Sequence, residues 1–257
     1  MNRKIYNFLW FIKTQIGINP LTFINSLKFS IKYLVDLYKF KKIYRGRISI
    51  KPSLQDFNDQ SGKISEYTVQ DLFVAQKIFL SKPKHHVDIG SRVDGFITNI
   101  STFMKVEIFD IRELKSFNPN ITSKKVDIFS NLIPENYTKS LSCLHTIEHF
   151  GLGRYGDDII HNGLERGLAQ LSKILKKDGL LYLSTPVGNE MVEFNSNWIF
   201  DLKKIIDVSK THDLQVLEIF ILNKKNNLFK QINIDEINYE KLNQQLYNLS
   251  LIIFNKI

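Results

Sequence analysis

Six side chains able to hold charge or move a proton, His145, Glu148, His149, Arg154, Tyr155 and Asp157, fall within thirteen residues. Gly151, Gly153 and Gly156 punctuate them and suit a tightly turned loop. A histidine of ordinary pKa, about 6.5, can take a proton from a hydroxyl near neutral pH, more readily when a carboxylate orients it. His149 is the candidate base on this reading, with Glu148 or Asp157 as its orienting partner. The alternative is a framework histidine held by its neighbours. Arg154 and Tyr155 suit an anionic or polyhydroxylated acceptor. The run His145-Thr146-Ile147-Glu148-His149 also has the H-x-x-E-H spacing of inverted zinc peptidases. That chemistry requires both histidines on one helix face and a third ligand from elsewhere. Here the segment follows an apolar run and enters a glycine-rich loop, so no metal site is expected. A zinc hydrolase through His145, Glu148 and His149 is the alternative the spacing raises.

The elements that must position this loop are legible as an alternation. Short apolar runs at 86–89, 105–110, 126–129, 140–144 and 180–184 alternate with helical patterns at 67–79, 95–104 and 164–175. Lys176-Lys177-Asp178-Gly179 reads as a basic helix end with a glycine stop. A helix is expected over 197–208, then strands over 215–222 and 249–254 with a polar segment between them. Such alternation predicts an α/β fold with a parallel sheet between helical layers. Ligands of such sheets bind at the carboxyl ends of the strands, near the topological switch point. At those ends stand Asp88-Ile89-Gly90-Ser91-Arg92, then Asp110, then Asp127. A glycine there lets a ligand approach the backbone amides. A carboxylate about twenty residues further on can accept from a ribose diol, and Asp127 stands where an adenine amino group would lie.

With these residues in place, the chain over roughly 65–255 resembles the class I, Rossmann-like S-adenosylmethionine-dependent methyltransferases. More narrowly, Val87-Asp88-Ile89-Gly90-Ser91-Arg92-Val93-Asp94-Gly95-Phe96, the run from His145 to Asp157, and Pro186-Val187-Gly188 with Glu193-Phe194-Asn195 are similar to domain-of-unknown-function family 268. Members of that family turn up in bacterial surface-polysaccharide gene clusters and in nematodes. The resemblance implies a three-layer sheet, mostly parallel with an antiparallel final strand. It implies S-adenosylmethionine as cofactor, with Asp88, Gly90 and Ser91 at its methionine end, Asp110 on the ribose, Asp127 by the adenine and His145 beside it. The superfamily's Gly-x-Gly-x-Gly loop is altered here, because Ser91 and Arg92 follow Gly90 and the next glycine is Gly95. Arg92 then either fills the pocket, pairs with the cofactor's carboxylate, or turns to solvent.

The implied activity is methylation of a sugar or surface-polysaccharide (capsule or lipopolysaccharide) precursor hydroxyl, in the cytoplasm. A sugar, sugar nucleotide or glycan is then the acceptor. Much of the rate in such a transfer comes from aligning nucleophile and methyl group. Glu193, Asn195 and Trp198 either bind a sugar ring or form a loop capping the next helix. The alternative function is a repurposed, non-catalytic protein of this fold in a glycan-assembly complex.

The charge lies elsewhere. Of the 257 residues, 1–47 hold ten basic side chains and one acid, Asp36, and so carry the whole net charge of +9. The remaining residues hold 25 basic and 25 acidic groups, so no nucleic-acid partner is expected for the domain. Residues 1–47 read as a basic amphipathic helical appendage, 48–66 as an irregular linker or lid with Asp56 and Tyr67 as contacts, and 67–257 as the domain. Phe23, Ile24, Leu27, Ile31, Leu34, Val35 and Tyr38 recur at helical spacing among lysines. Such helices lie on an anionic membrane face, pack on the domain, or form a homodimer contact; all three stay open. No stretch has the apolar length of a membrane span, and no signal-peptide cleavage site follows Lys13. The single Cys143 cannot pair within the chain and fits a buried strand in a reducing compartment.

Overall fold

The computed structural model describes residues 3–17, 19–54, 56–58, 61–62, 64–115 and 118–257. They divide into two units, 1–63 and 64–257. Gln55 of the irregular stretch lies outside the described residues, as do the side chains of residues 3, 4, 6, 7, 20 and 21.

The first unit holds helix α1 (Arg3–Phe11), continued by a π-helical turn Ile12–Ile16, and helix α2 (Pro20–Ile43). The intervening Gly17 takes φ +79°, a left-handed stop that glycine adopts without Cβ strain. Phe57, in a 3-10 turn, lies 5.2 Å from the Phe29 ring of α2, and Lys32 Nζ sits 4.8 Å over it. No helix among the described residues is long and apolar enough to cross a membrane.

The second unit runs α3 (Glu66–Ser81), β1 (His86–Ile89), a π-helical turn leading into the short α4 (Thr98–Ser101), β2 (Val106–Asp110), β3 (Ile121–Lys125) and β4 (Thr138–Leu144). It continues with α5 (Gly163–Ile174), β5 (Leu175–Val187), β6 (Met191–Glu193), β7 (Asn197–Ile199), α6 (Leu202–Lys210), β8 (Leu214–Asn223), β9 (Leu228–Ile232), α7 (Tyr239–Asn243) and β10 (Asn248–Lys256). Eight strands form one sheet in the order β3-β2-β1-β4-β5-β10-β8-β9, while β6 and β7 form a separate pair. Strands β3, β2, β1, β4 and β5 are parallel. The final strand β10 runs antiparallel between β5 and β8, as expected, and β9, antiparallel to β8, is a second reversed strand at the edge.

Alternation along the strands feeds two cores. Leu251 and Ile253 of β10 join Val74, Ile78 and Phe96 on one face of the sheet. Ile252 and Phe254 join Leu168, Leu171 and Ile205 on the other. Leu168 and Leu171 are fully buried, and truncating either to Ala should cost about 2–5 kcal/mol.

Two expected elements move. The apolar run 126–129 is not the third strand. It is the exit from β3, a 3-10 turn whose Ile128 is buried, while the strand itself is the polar Ile-Thr-Ser-Lys-Lys. Both β3 and the unanticipated β9 are sheet edges, where one face of hydrogen bonding is open and lysines are common. The helix expected over 197–208 begins only at Leu202, because 197–199 pairs with 191–193 and Asp201 Oδ1 caps the helix from 2.8 Å off Lys203 N. The 164–175 helix ends at Ile174; Leu175 already pairs with Thr138 and residues 176–179 bulge from β5, so Gly179 is not the helix stop. His86 is fully buried between Ser140 Oγ (2.8 Å) and Ser142 Oγ (2.9 Å).

Candidate active site

Strand order reverses between β1 and β4, and the cavity lies there. About 270 Å³ of space is walled by the exits of β1 to β4, by α3 and by the loop through Asp157, the place a doubly wound sheet offers a ligand.

The floor is the turn after β1. Gly90 takes φ +74°, and a Cβ on it would fall 2.4 Å from Thr146 Cγ2, so the turn is open to glycine alone. Asp88 does not line the cavity; it is fully buried beneath the floor. Its Oδ2 accepts from Ser91 N (2.9 Å), and its Oδ1 accepts from Ser91 Oγ (2.8 Å) and from Ser142 Oγ. The expected contact at the methionine end is corrected on this point: Asp88 shapes the turn. Burial raises its carboxyl to about 6, against these hydrogen bonds. Arg92 does not fill the pocket. It stands at the rim, mostly exposed, bonded through Nε to Asp94 Oδ1 (3.0 Å) and through Nη2 to Oδ2 (2.5 Å).

Asp110 and Asp127 both line the cavity. Asp127 Oδ1 accepts from Phe129 N (2.9 Å) in the exit turn. Asp110 is met by its own neighbour, since Arg112 donates to Oδ1 from N (2.7 Å) and Nε (2.9 Å), and to Oδ2 from Nη2 (2.6 Å).

The loop after β4 carries the histidines. His145, at φ +49°, holds Nδ1 2.8 Å from Glu148 Oε1. Its Nε2 and Glu148 Oε2 are buried without a partner among the described residues. The Tyr67 ring packs against it at 4.5 Å. Burial alone would raise the Glu148 carboxyl, and the His145 hydrogen bond with the nearby histidine charges outweighs it, leaving it below its ordinary value. His149 is arranged differently: Nδ1 lies 2.8 Å from the Ser196 carbonyl, and Arg154 Nη1 sits 3.2 and 3.4 Å from its two nitrogens. Burial, against the pull of Glu148, lowers its pKa. Neither nominated partner touches it. Glu148 belongs to His145, and Asp157 accepts from Gly153 N (3.2 Å) and Tyr155 N (3.0 Å), holding its own loop. Residues 147–149 form a 3-10 turn, so the single helix face a zinc signature requires is not formed.

Arg154 and Tyr155 line the cavity, and the guanidiniums of Arg112 and Arg154 lie 4.7 and 5.3 Å from the Tyr155 ring centre. Glu193, Asn195 and Trp198 do not line it. Trp198 is half-buried, with Phe200 parallel to its ring at 6.3 Å.

Helix α3 contributes Tyr67, an expected contact, and two residues that the sequence did not single out, Gln70 and Asp71. Tyr67, Gln70 and Asp71 line the cavity. Asp71 is buried, its Oδ1 3.2 Å from Gln70 Nε2, and a Cβ on Gly95 would meet its Oδ2 at 2.1 Å. Burial raises its carboxyl. The signal was available: Gln70 and Asp71 interrupt the stripe Val74, Ala75, Ile78 at helical spacing.

A family model described as "Caenorhabditis protein of unknown function, DUF268" matches residues 92–248. No curated protein matches the chain. Among solved structures, a geranyl diphosphate methyltransferase in complex with SAM is 11% identical with TM-score 0.55, over 74% of this chain and 85% of that one. The [4+2]-cyclase SpnF is 12% identical with TM-score 0.53, over 72% and 80%. A TehB-like SAM-dependent methyltransferase from Corynebacterium glutamicum ATCC 13032 Kitasato is 14% identical with TM-score 0.50, over 89% and 98%. The fold is therefore the Rossmann-like one of class I methyltransferases, and a cyclase among these structures shows that it hosts more than one chemistry.

Proposed function

The chain belongs to the DUF268 family, and we propose that it is an S-adenosylmethionine-dependent methyltransferase acting on a hydroxyl of a sugar or surface-polysaccharide precursor. One observation carries the reading: a cavity at the switch point, floored by the left-handed Gly90 and walled by Asp110 and Asp127 at successive strand exits. The residues fit the cofactor. Asp110 faces its ribose and Asp127 its adenine, the Gly90 turn admits it close to backbone, and the buried Asp71 suits its α-ammonium. When bound, S-adenosylmethionine supplies an electrophilic methyl group on sulfur.

The chain's own task is then to orient the acceptor and take its proton. A neutral His145 that donates from Nδ1 to Glu148 leaves the Nε2 lone pair to accept that proton, and Glu148 acts as a positioning residue. This reading sets His145 ahead of His149 as the base, because Ser196 O and Arg154 Nη1 lie against the two nitrogens of His149. Arg154 and Tyr155 orient an anionic or polyhydroxylated acceptor.

A second reading, a repurposed member of the fold without catalysis, is favoured by Arg112 covering Asp110. Calorimetry with S-adenosylhomocysteine separates the two. Heat of binding at one site supports the methyltransferase, and none at millimolar ligand overturns it.

A further inference from the structure

Helix α2 presents a continuous apolar face to solvent. Ile24, Leu27, Ile31, Leu34 and Tyr38 recur at alternating steps of three and four, which aligns them on one side of a helix, and Phe23 and Val35 widen the stripe. All seven are 45–72% exposed. The opposite side is the more sheltered one, with Phe29, Tyr33 and Leu37 half-buried. Seven large apolar side chains in one stripe go beyond the scattered exposure normal on a protein surface.

The charges around the stripe say what covers it. Lys28, Lys32 and Lys39 run along one border, and Lys41, Lys42, Arg45 and Arg47 follow at its end. The single acid in residues 1–47, Asp36, is 2.5 Å from Lys32 Nζ.

We propose that this face of α2 lies flat on an anionic lipid bilayer, with the apolar stripe at the acyl boundary and the lysine border among the headgroups. A second copy of the helix would bring two cationic borders together with almost no acid to offset them. A nucleic acid would satisfy the lysines and leave the stripe in water. A bilayer bearing negative headgroups satisfies both at once. The helix lies in the surface plane, because it is not apolar enough to cross. The inference stands apart from the methyltransferase reading, and its readout involves no transfer chemistry.

The test is co-sedimentation of the full chain with phosphatidylcholine vesicles, with and without phosphatidylglycerol, at low and high salt. Partition onto the anionic vesicles should exceed that onto neutral ones by at least about tenfold and fall with salt. Leu27→Ser/Ile31→Ser/Leu34→Ser should abolish it, and Lys28→Glu/Lys32→Glu/Lys39→Glu should remove the preference for anionic lipid, both with an unchanged melting transition. A chain that stays in the supernatant overturns the proposal. So does binding that survives both variants, or a solution dimer that the serine variant dissociates without any vesicle binding.

Discussion

Arg112 closes over Asp110. Three of its N–H groups lie 2.6–2.9 Å from the two carboxylate oxygens, and the same guanidinium reaches the Gly90 carbonyl at 3.2 Å. A carboxylate offers about four acceptor positions, so little of Asp110 is left for a ribose diol while Arg112 holds it. Two opposite effects follow from one contact. Asp110→Ala should weaken S-adenosylhomocysteine binding by about tenfold or more, the loss of a charge-assisted hydrogen bond. Arg112→Gln should tighten it several-fold by freeing the carboxylate. Calorimetry measures both, and weaker binding in the Arg112 variant would make the arginine a support for Asp110 instead of a competitor.

The two histidines should separate kinetically once an acceptor is in hand. His145→Gln should lower kcat by about a hundredfold or more, with S-adenosylhomocysteine affinity within a few-fold of the parent. Glu148→Gln should lower kcat as well, because the carboxylate holds the imidazole's orientation. His149→Gln should leave kcat within about tenfold. A larger loss at His149 than at His145 would restore the first nomination.

Asp71 should read the amino-acid half of the cofactor. Asp71→Asn removes a buried charge opposite the α-ammonium, worth about 1.5–3 kcal/mol in a charge-assisted hydrogen bond. Affinity for S-adenosylhomocysteine should fall by at least about tenfold, while that for adenosine, which lacks the ammonium, should not change. An equal loss for both ligands would place Asp71 in the framework.

Below the floor, Asp88 and His86 bind the same Ser142 hydroxyl and titrate with opposite sign. Burial raises Asp88 from 3.8 to about 6, so across that window the folded protein keeps a proton the unfolded chain has released. Its contribution to stability is therefore lost as pH rises. Burial lowers His86 from 6.5 to about 3, so there stability is gained as pH rises. Asp88→Asn removes only the first effect. Its stability relative to the parent should climb by up to about 3 kcal/mol between about pH 4 and pH 6 in urea unfolding. A difference that stays flat across this range would contradict the raised Asp88 pKa.

What the sequence determined unaided is the α/β alternation, with strands in their places at 86–89, 106–110, 138–144 and 175–187, and Asp110 at the exit of one of them. Asp110 could be placed because a parallel sheet sends each strand's carboxyl end to one edge, a rule that needs no coordinates. Asp127 stands at an exit because the strand before it ends at Lys125 and not in the expected 126–129 run. The apolar pattern failed at the two edge strands, since Ile121–Lys125 and Leu228–Ile232 are paired on one side and need no apolar faces.

Tertiary structure decided the partnerships. Glu148 stands next to His149 in the chain, yet adjacent residues on a turn diverge, and its carboxylate instead reaches His145, which sits left-handed at φ +49° just ahead of the 3-10 turn that carries Glu148. Asp71 became a wall of the cavity only because α3 packs with Gly95 facing it, a contact 24 residues distant in the chain that spacing cannot announce. Chain order fixes which groups exist at each strand end. Packing fixes which of them are buried, and burial is what gives each its charge state and its partner.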